Sequence, residues 1–487
     1  MTTSARTYLN RIGGEWVPAA DGATTSDLNP ARTDEVVAVF PSAGTQDADR
    51  AAEAAARAFP GWSRTPMPKR GEILLKAAQL LEARLDEVAE ALTREEGKTL
   101  AESKGETARG VSLLRYFAGE ATQPIGEVYP SAAAATFLYA ERVPLGPVAL
   151  VTPWNFPVAI PTWKVAPCLA FGNTVVLKPA ELTPVTAWHL ADVLEKAGLP
   201  PGVLNLVVGR GSKVGPALLA DERIKAISFT GSNEVGTRLA VQAAQRGAKF
   251  QLEMGGKNPV VVLDDADVDK AVELTIAGAM LSTGQKCTAT SRVIVERQIG
   301  DRFREALAAK ASSLKVGDGM KPDTYMGPLV SADAEKTVMG YVEAGKAEGA
   351  RLLTGGTKLR GDEYDRGYFV APTVFDRVGP DMRIAQEEIF GPVVAIIEAK
   401  DFDDAVRLAN HTRFGLSASI VTRDLGLAMR FVREIEAGIV HVNSQTAGAE
   451  PQVPFGGFKG SSSGSREQGK AARDFFTQIK TVYLDPP

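Results

Sequence analysis

The sequence predicts an α/β protein built on a largely parallel sheet with helices on both faces. Three observations lead there. Between Pro147 and Leu263, short β-branched runs alternate with amphipathic stretches of helix length, which requires crossover connections. The polar and glycine clusters of this segment fall where the runs end, and open parallel sheets bind ligands outside the carboxyl ends of their strands. A second αβ pattern begins after Leu263. At 487 residues the chain exceeds one ordinary core, so two or three domains are expected.

From about Ala51 to Lys98 the pattern is helical: Ile73, Leu74, Ala77, Leu80, Leu81, Leu85, Val88 and Leu92 recur at three- and four-residue steps. Strands are expected at Val148 to Thr152, Thr174 to Lys178, Val203 to Val208, Ala226 to Thr230, Lys249 to Glu253 and Pro259 to Leu263. At or just past their ends stand Asn155, Lys178 with Glu181, Gly209 to Gly215, Gly231-Ser232 and Glu253. Turn-making alone does not account for such residues at five strand ends. Further on, Val268 to Leu281 reads as a helix, Cys287 precedes a strand at Arg292 to Glu296, and the pattern runs to about Pro454. Gly456 to Ser465 reads as a Gly/Ser loop, followed by a helix and a last strand at Lys480 to Leu484.

Composition excludes several classes. The 44% hydrophobic and 23% charged residues are those of a soluble globular protein. A net charge of -4 with interspersed signs gives no basic field for nucleic acid. No apolar run approaches the roughly 20 residues of a membrane helix. The start, Met1-Thr2-Thr3-Ser4-Ala5-Arg6, lacks the apolar core of a signal peptide. Two cysteines make no disulfide framework, so a reducing cytoplasm is the expected compartment. Three scattered histidines, His189, His411 and His441, with one loop cysteine give no expected zinc or other metal site.

The two cysteines differ. Cys168 lies in the apolar run Val165-Ala166-Pro167-Cys168-Leu169-Ala170-Phe171 and reads as core. Cys287 lies in Ser282-Thr283-Gly284-Gln285-Lys286-Cys287-Thr288-Ala289, where either packing or nucleophilic chemistry fits, and Lys286 beside it is a candidate to favour a thiolate. Glu253 meets Gly255-Gly256, glycines that let backbone approach something closely. Such a carboxylate is a solvated cap or, in an apolar cleft, a base with a raised pKa. Gly209-Arg210-Gly211-Ser212-Lys213-Val214-Gly215 sits where a dinucleotide loop belongs, with its third glycine one position late. Gly460-Ser461-Ser462-Ser463-Gly464 matches a serine-hydrolase elbow by letter only, because every histidine precedes it. Gly340 to Ala347 and Gly464 to Ala471 match a phosphate loop up to the lysine but carry Ala at the hydroxyl position.

Seven runs in order resemble the aldehyde dehydrogenase superfamily over nearly the whole chain. They are Pro153-Trp154-Asn155-Phe156-Pro157, Lys178-Pro179-Ala180-Glu181, Phe229-Thr230-Gly231-Ser232, Leu252-Glu253-Met254-Gly255-Gly256-Lys257, Gly284-Gln285-Lys286-Cys287, Glu387-Glu388-Ile389-Phe390-Gly391-Pro392 and Pro454-Phe455-Gly456-Gly457. The resemblance implies a Rossmann-like NAD(P)-binding domain (1–122 and 143–254) and an αβ catalytic domain (255–453). It also implies a small β oligomerisation element (123–142 and 470–487) that builds homodimers or homotetramers. It assigns Cys287 as nucleophile, Asn155 with the Cys287 N–H as oxyanion donors, and Glu253 as the base that hydrolyses a thioester.

By the same resemblance Lys178 and Glu181 contact the adenosine ribose, and Glu388 the nicotinamide ribose. Gly211, Gly215 and Ser232 lie near the pyrophosphate, with Trp154 and Phe390 flanking the cofactor; Thr152, Pro153, Phe229, Thr230, Gly231 and Met254 complete the expected site. Lys257 reads as structural. The Glu181 carboxylate favours a 2′-hydroxyl and hence NAD, while Lys178 leaves NADP open. Glu253 speaks against a CoA-acylating relative, and the intact cysteine and cofactor residues against a non-catalytic one.

Asn443-Ser444-Gln445-Thr446-Ala447-Gly448 and the serine-rich Ser461 to Gly469 depart from the commoner family pattern. They resemble the branch acting on 2,5-dioxopentanoate (α-ketoglutaric semialdehyde) to give 2-oxoglutarate; succinate semialdehyde and aliphatic or aromatic aldehydes are the alternatives. Phe156, Trp163 and Phe455 are the expected wall of the substrate tunnel. Arg109 is the candidate partner for a substrate carboxylate, against the plainer reading of a solvated helix arginine.

Overall fold

The computed structural model describes residues 5–487. The opening run Met1 to Ser4, part of the segment read against a signal peptide, lies outside the described residues. Two large sheets dominate. The first has eight strands, in the spatial order Ser462–Ser463, Lys249–Glu253, Ala226–Thr230, Pro147–Val151, Thr174–Lys178, Leu204–Leu206, Asn10–Ile12 and Glu15–Val17. Its five central strands are parallel, and antiparallel strands close both edges. The second has seven strands, all parallel except the edge pair Arg351–Thr354 and Thr373–Asp376.

Both sheets are covered on both faces, which is why their strands read as near-continuous apolar runs. Val148 and Leu150 point into one core and Ala149 into the other. In the second sheet Val261 and Ile294 face one core, while Val260, Val262, Val293 and Val295 face the opposite one.

Strand order fixes where a ligand can enter. Pro147–Val151 sits between Ala226–Thr230 and Thr174–Lys178, so the crossovers from its two neighbours leave in opposite directions. A crevice opens at such a switch point, outside the carboxyl ends. Only Met254 to Lys257 separate Glu253, the end of one sheet's strand, from Asn258, the start of a strand in the other. The carboxyl edge of the first sheet therefore meets the amino edge of the second.

The structure revises several expected elements. The helical stretch from Ala51 to Lys98 is three helices, Thr45–Arg64, Met67–Ala83 and Leu85–Glu96, broken before Pro66, at Arg84 and at left-handed Gly97. The strand expected from Val203 to Val208 is Leu204–Leu206; past it the Asn10 side chain takes the Val208 N–H at 2.8 Å in place of a ladder partner. The expected Gly/Ser loop contains Phe458–Lys459 and Ser462–Ser463, each paired to a different sheet region. The helix Ala471–Phe476 buries Phe475 and Phe476 in the core of the first sheet, and the last strand then runs Thr477–Leu484. That strand joins Phe137–Pro144 and Gly126–Tyr129 in a separate three-stranded antiparallel sheet.

Phe475 is fully buried and packs edge-on to Phe476, with ring centroids 4.8 Å apart. Phe475→Ala is expected to lower stability by about 3–5 kcal/mol through the cavity it leaves. A shifted denaturant midpoint checks this; an unchanged one would mean that the C-terminal helix is not anchored in this core.

Candidate active site

The strand Pro147–Val151 delivers the loop carrying Asn155 and Phe156. Asn155 is buried, and its side-chain Nδ2 donates to the Gln285 carbonyl at 3.0 Å, leaving the second amide hydrogen free. Its backbone carbonyl accepts from Lys98 Nζ at 2.7 Å, which also bonds Glu106 Oε2 at 2.7 Å and lies 4.3 Å over the Phe156 ring. Glu106 Oε1 accepts the Val158 and Ala159 N–H groups at the start of the helix Ala159–Ala170. Burial works against the Lys98 charge, but Glu106 and Glu96 outweigh it and raise its pKa.

Cys287 is half-buried and follows a tight turn in which Ser282, Thr283 and Gly284 all adopt left-handed backbone, at φ 51°, 55° and 68°. Each of the two non-glycine residues costs on the order of 1–3 kcal/mol, so the turn must be held from outside. Glu102 Oε1 accepts the Ser282 N–H at 2.6 Å, Thr283 Oγ1 donates to the Gly327 carbonyl at 3.0 Å, and Gln285 Oε1 accepts the Val330 N–H at 3.0 Å. Asn258 Nδ2 donates to the Cys287 carbonyl at 2.8 Å. Burial, then the carboxylates of Glu388 and Glu253, push the Cys287 thiol up to about 12. Both influences favour the protonated thiol.

The expected close approach at the two glycines is present. A Cβ on Gly255 would lie 2.1 Å from Glu388 Oε2, and one on Gly256 would lie 2.5 Å from the Cys287 carbonyl oxygen. Glu388 Oε1 accepts the Gly256 N–H at 2.9 Å, and burial pushes its carboxyl up to about 7. Glu253 is buried, and its Oε2 accepts from the Ser462 hydroxyl at 2.6 Å. Burial and Glu467 drive its carboxyl well above the usual range.

Two cavities open at the crevice. One of about 260 Å3 is lined by Cys287, Asn155, Glu388, Phe390, Met254 and Ser232 among others. The other, of about 590 Å3, includes Thr152, Lys178, Glu181, Gly211, Gly215 and Phe229 in its wall. Pro153, Trp154, Thr230 and Gly231 line both, so the two adjoin, and every expected cofactor residue borders one or the other. Trp154 and Phe390 meet edge to face at 5.4 Å.

Several features suit a dinucleotide. The helices Gly211–Ala220 and Asn233–Gln245 begin at the wall, and helix N-termini favour phosphate. Thr152 Oγ1 and Thr230 Oγ1 are buried with no hydrogen-bond partner, and burial lowers the Lys178 pKa against the pull of Glu181. Among the described residues no cluster of three or more His, Cys, Asp or Glu is placed to hold a metal.

The expected substrate residues stand apart from these cavities. Trp163 and Phe455 are buried against each other, with centroids 5.3 Å apart. Phe156 lies under Lys98. Arg109 makes no ion pair among the described residues; its Nη2 donates to Gln468 Oε1 at 2.9 Å, and burial lowers its pKa. Glu253 lines neither cavity, though its charge, after burial and Glu388, contributes to raising the Cys287 thiol pKa.

The aldehyde dehydrogenase family profile matches residues 16–482. The chain belongs to the aldehyde dehydrogenase family. It is 51% identical over 484 residues, 99% of both chains, to a Bacillus subtilis protein named alpha-ketoglutaric semialdehyde dehydrogenase. It is 45% identical to the 2,5-dioxopentanoate dehydrogenase of Saccharolobus solfataricus, over 97% of this chain and 98% of that one. Among solved structures, betaine aldehyde dehydrogenase of Staphylococcus aureus in complex with NAD+ superposes with a TM-score of 0.96 at 35% identity, covering 98% of this chain and 94% of that one. As a member of the family the protein is an oxidoreductase that uses NAD or NADP to oxidise aldehydes.

Sequence reasoning missed the residues that hold this site: Lys98, Glu106, Glu102 and Ser462. Ser462 stood in a run already marked as unusual. Lys98 and Glu106 carried no local signal for the site, since the backbone groups they hold there lie 57 and 52 residues further on.

Alkylation of Cys287 by iodoacetamide in the cofactor-free protein should rise about tenfold per pH unit from about pH 7 to 10, as the thiolate fraction grows. Fully buried Cys168 serves as the unreactive reference. A rate that levels off below about pH 8 would show that the sulfur ionises far more easily than its surroundings dictate.

Proposed function

We propose that this enzyme oxidises 2,5-dioxopentanoate to 2-oxoglutarate through a thioester on Cys287. The observation that carries the chemistry is a half-buried thiol lining the same cavity as the Asn155 amide, with its pKa raised in part by the Glu253 carboxylate. The substrate rests on full-length identity to relatives bearing that activity in their names.

Once the Cys287 thiol has given its proton to solvent water, the thiolate forms a bond to the aldehyde carbon, and the C=O π-electron pair moves onto the oxygen as an oxyanion. The free hydrogen on Asn155 Nδ2 and the Cys287 N–H stabilise it, a donor of this kind being worth about 10²–10³ in rate. Held beside Trp154, Phe390 and Glu388, a nicotinamide would supply the hydride acceptor, and loss of hydride from that carbon would leave a thioester on the sulfur. Glu253 then takes a proton from water, whose oxygen bonds to the thioester carbon. The carbon–sulfur bond breaks and the carboxylic acid leaves. Burial suits Glu253 to this work, because a carboxylate shifted toward neutrality is a stronger base.

The cofactor wall at Glu181 favours NAD over its 2′-phosphorylated form, and residues 1–122 with 143–254 form the domain that binds it, opposite a catalytic domain at 255–453. Arg109 is the partner for the substrate's carboxylate, since a half-buried guanidinium bound only to a neutral amide is free to pair with an anion. The small three-stranded sheet leaves Val128, Tyr129, Phe137, Ile479, Tyr483 and Leu484 exposed, which supports assembly into a homodimer or homotetramer. Two unbridged cysteines support a cytoplasmic setting.

A comparison of kcat/KM across semialdehyde acids and uncharged aldehydes, with NAD and NADP, tests the substrate and the cofactor together. Arg109→Leu should raise KM for the semialdehyde acid about tenfold or more while leaving uncharged aldehydes little changed; equal effects would remove the carboxylate role. Glu253→Gln should release one equivalent of NADH and then stall, and sustained turnover would discard Glu253 as the base.

A further inference from the structure

Glu253 and Ser462 are directly opposed across the antiparallel pair of Lys249–Glu253 and Ser462–Ser463. Opposed residues hold their Cβ atoms about 4.5–5.5 Å apart on one face of a sheet, within reach of a hydrogen bond. Ser462 Oγ accepts the Gly457 N–H at 2.6 Å, so its own proton is directed to Glu253 Oε2, also at 2.6 Å. Glu253 Oε1 is buried, with no hydrogen-bond partner among the described residues. Gly456 keeps the space beside it, since a Cβ there would lie 2.8 Å from that oxygen. One carboxylate oxygen is anchored and the other is bare.

We propose that Ser462 is a positioning residue for the hydrolytic half-reaction: its hydroxyl fixes Glu253 Oε2 and presents Oε1 as the atom that takes the proton from water. This rests on the reading of Glu253 as the base. The water O–H proton moves to Oε1, the water oxygen bonds to the thioester carbon, and the electron pair of the broken carbon–sulfur bond returns to Cys287. The Ser462 proton stays on its oxygen throughout.

The groups around Glu253 pull in both directions. Burial acts most strongly to keep it protonated, and Glu467 adds to this, while Ser462, Lys164 and Arg466 favour the charged form. Lys164 is bound to Glu467 and Ser228, and Arg466 to the Gly457 carbonyl. The Glu253 charge also contributes to raising the Cys287 thiol pKa. Among the described residues Ser462 is the only group hydrogen-bonded to the Glu253 carboxyl. A hydroxyl that donates to a carboxylate stabilises the ionised state, so removing it makes the base available only at higher pH.

An assay without cofactor isolates the step. An activated ester such as p-nitrophenyl acetate acetylates Cys287 directly, and decay of the acetyl-protein is followed by intact-protein mass spectrometry from about pH 5 to 10. The wild-type decay rate should rise to a plateau through one midpoint. Ser462→Ala should move that midpoint upward by about one to two pH units and slow decay about tenfold or more below it, while Ser462→Thr, which keeps the hydroxyl, should restore the wild-type profile. If Ser462→Ala does not fold, Ser462→Cys, a weaker donor of similar size, should give an intermediate midpoint. An unmoved midpoint in either substituted protein overturns the proposal. Glu253→Gln separates the two ideas: if it decays like the wild type, the base reading itself fails; if it stalls while Ser462→Ala follows the wild type, only the positioning role is lost.

Discussion

Lys98 has almost no access to water, yet its ammonium meets the Glu106 carboxylate, the Asn155 carbonyl and the Phe156 ring at once. Breaking a buried pair by removing one partner costs about 3–5 kcal/mol, because the other charge is left uncompensated. Here the consequence is also geometric. Glu106 holds the first N–H groups of the helix that follows Asn155, so one ion pair sets both where the loop leaves its strand and where the helix begins. Glu95 does the same for the next helix of the sheet, accepting from Val185 N and Thr186 N. Carboxylates from the N-terminal helices thus sit at the positive ends of the helices that carry the site.

The sulfur lies among groups whose charge is decided by burial. Glu388 is pushed up to about 7, while Lys257 and Lys286 are drawn down to about 7 and about 8. Lys257 Nζ finds no hydrogen-bond partner among the described residues. Four groups in this region change charge easily near neutrality or resist ionising outright. In a medium of low polarity each such change is felt strongly by its neighbours. The thiol of Cys287 is held back by two carboxylates and relieved by no paired cation, so its reactivity depends on what enters the cavity beside it.

Much of this was legible in the sequence. Asn155, Glu253 and Cys287 each stand at or just past a strand end or a loop-to-strand junction, and the glycines near Glu253 and Cys287 are required by close approach. The central strands Thr174–Lys178, Ala226–Thr230 and Lys249–Glu253 fall where their β-branched runs predict. The edges were not legible. Asn10–Ile12 and Glu15–Val17 are short and carry polar residues, and the pairing of Arg11 with Leu206 bridges most of the cofactor-side segment of the chain. The serine run around Ser462 reads as flexible because its partner, Glu253, lies 209 residues away. Arg109 shows the same limit: its contact with Gln468 spans 359 residues. Local pattern announces the strands and their ends, whereas the contacts that hold the reacting groups still are made across the fold.

The short passage from Met254 to Lys257 carries one more implication. Four residues reach roughly 14 Å when fully extended, and here Gly255 and Gly256 are pressed against Glu388 and the Cys287 backbone. The two sheets are therefore tethered at their point of contact and can swing about it but not separate there. A residue inserted in that seam would push on the Cys287 backbone, against which Gly256 packs, before it disturbed either core.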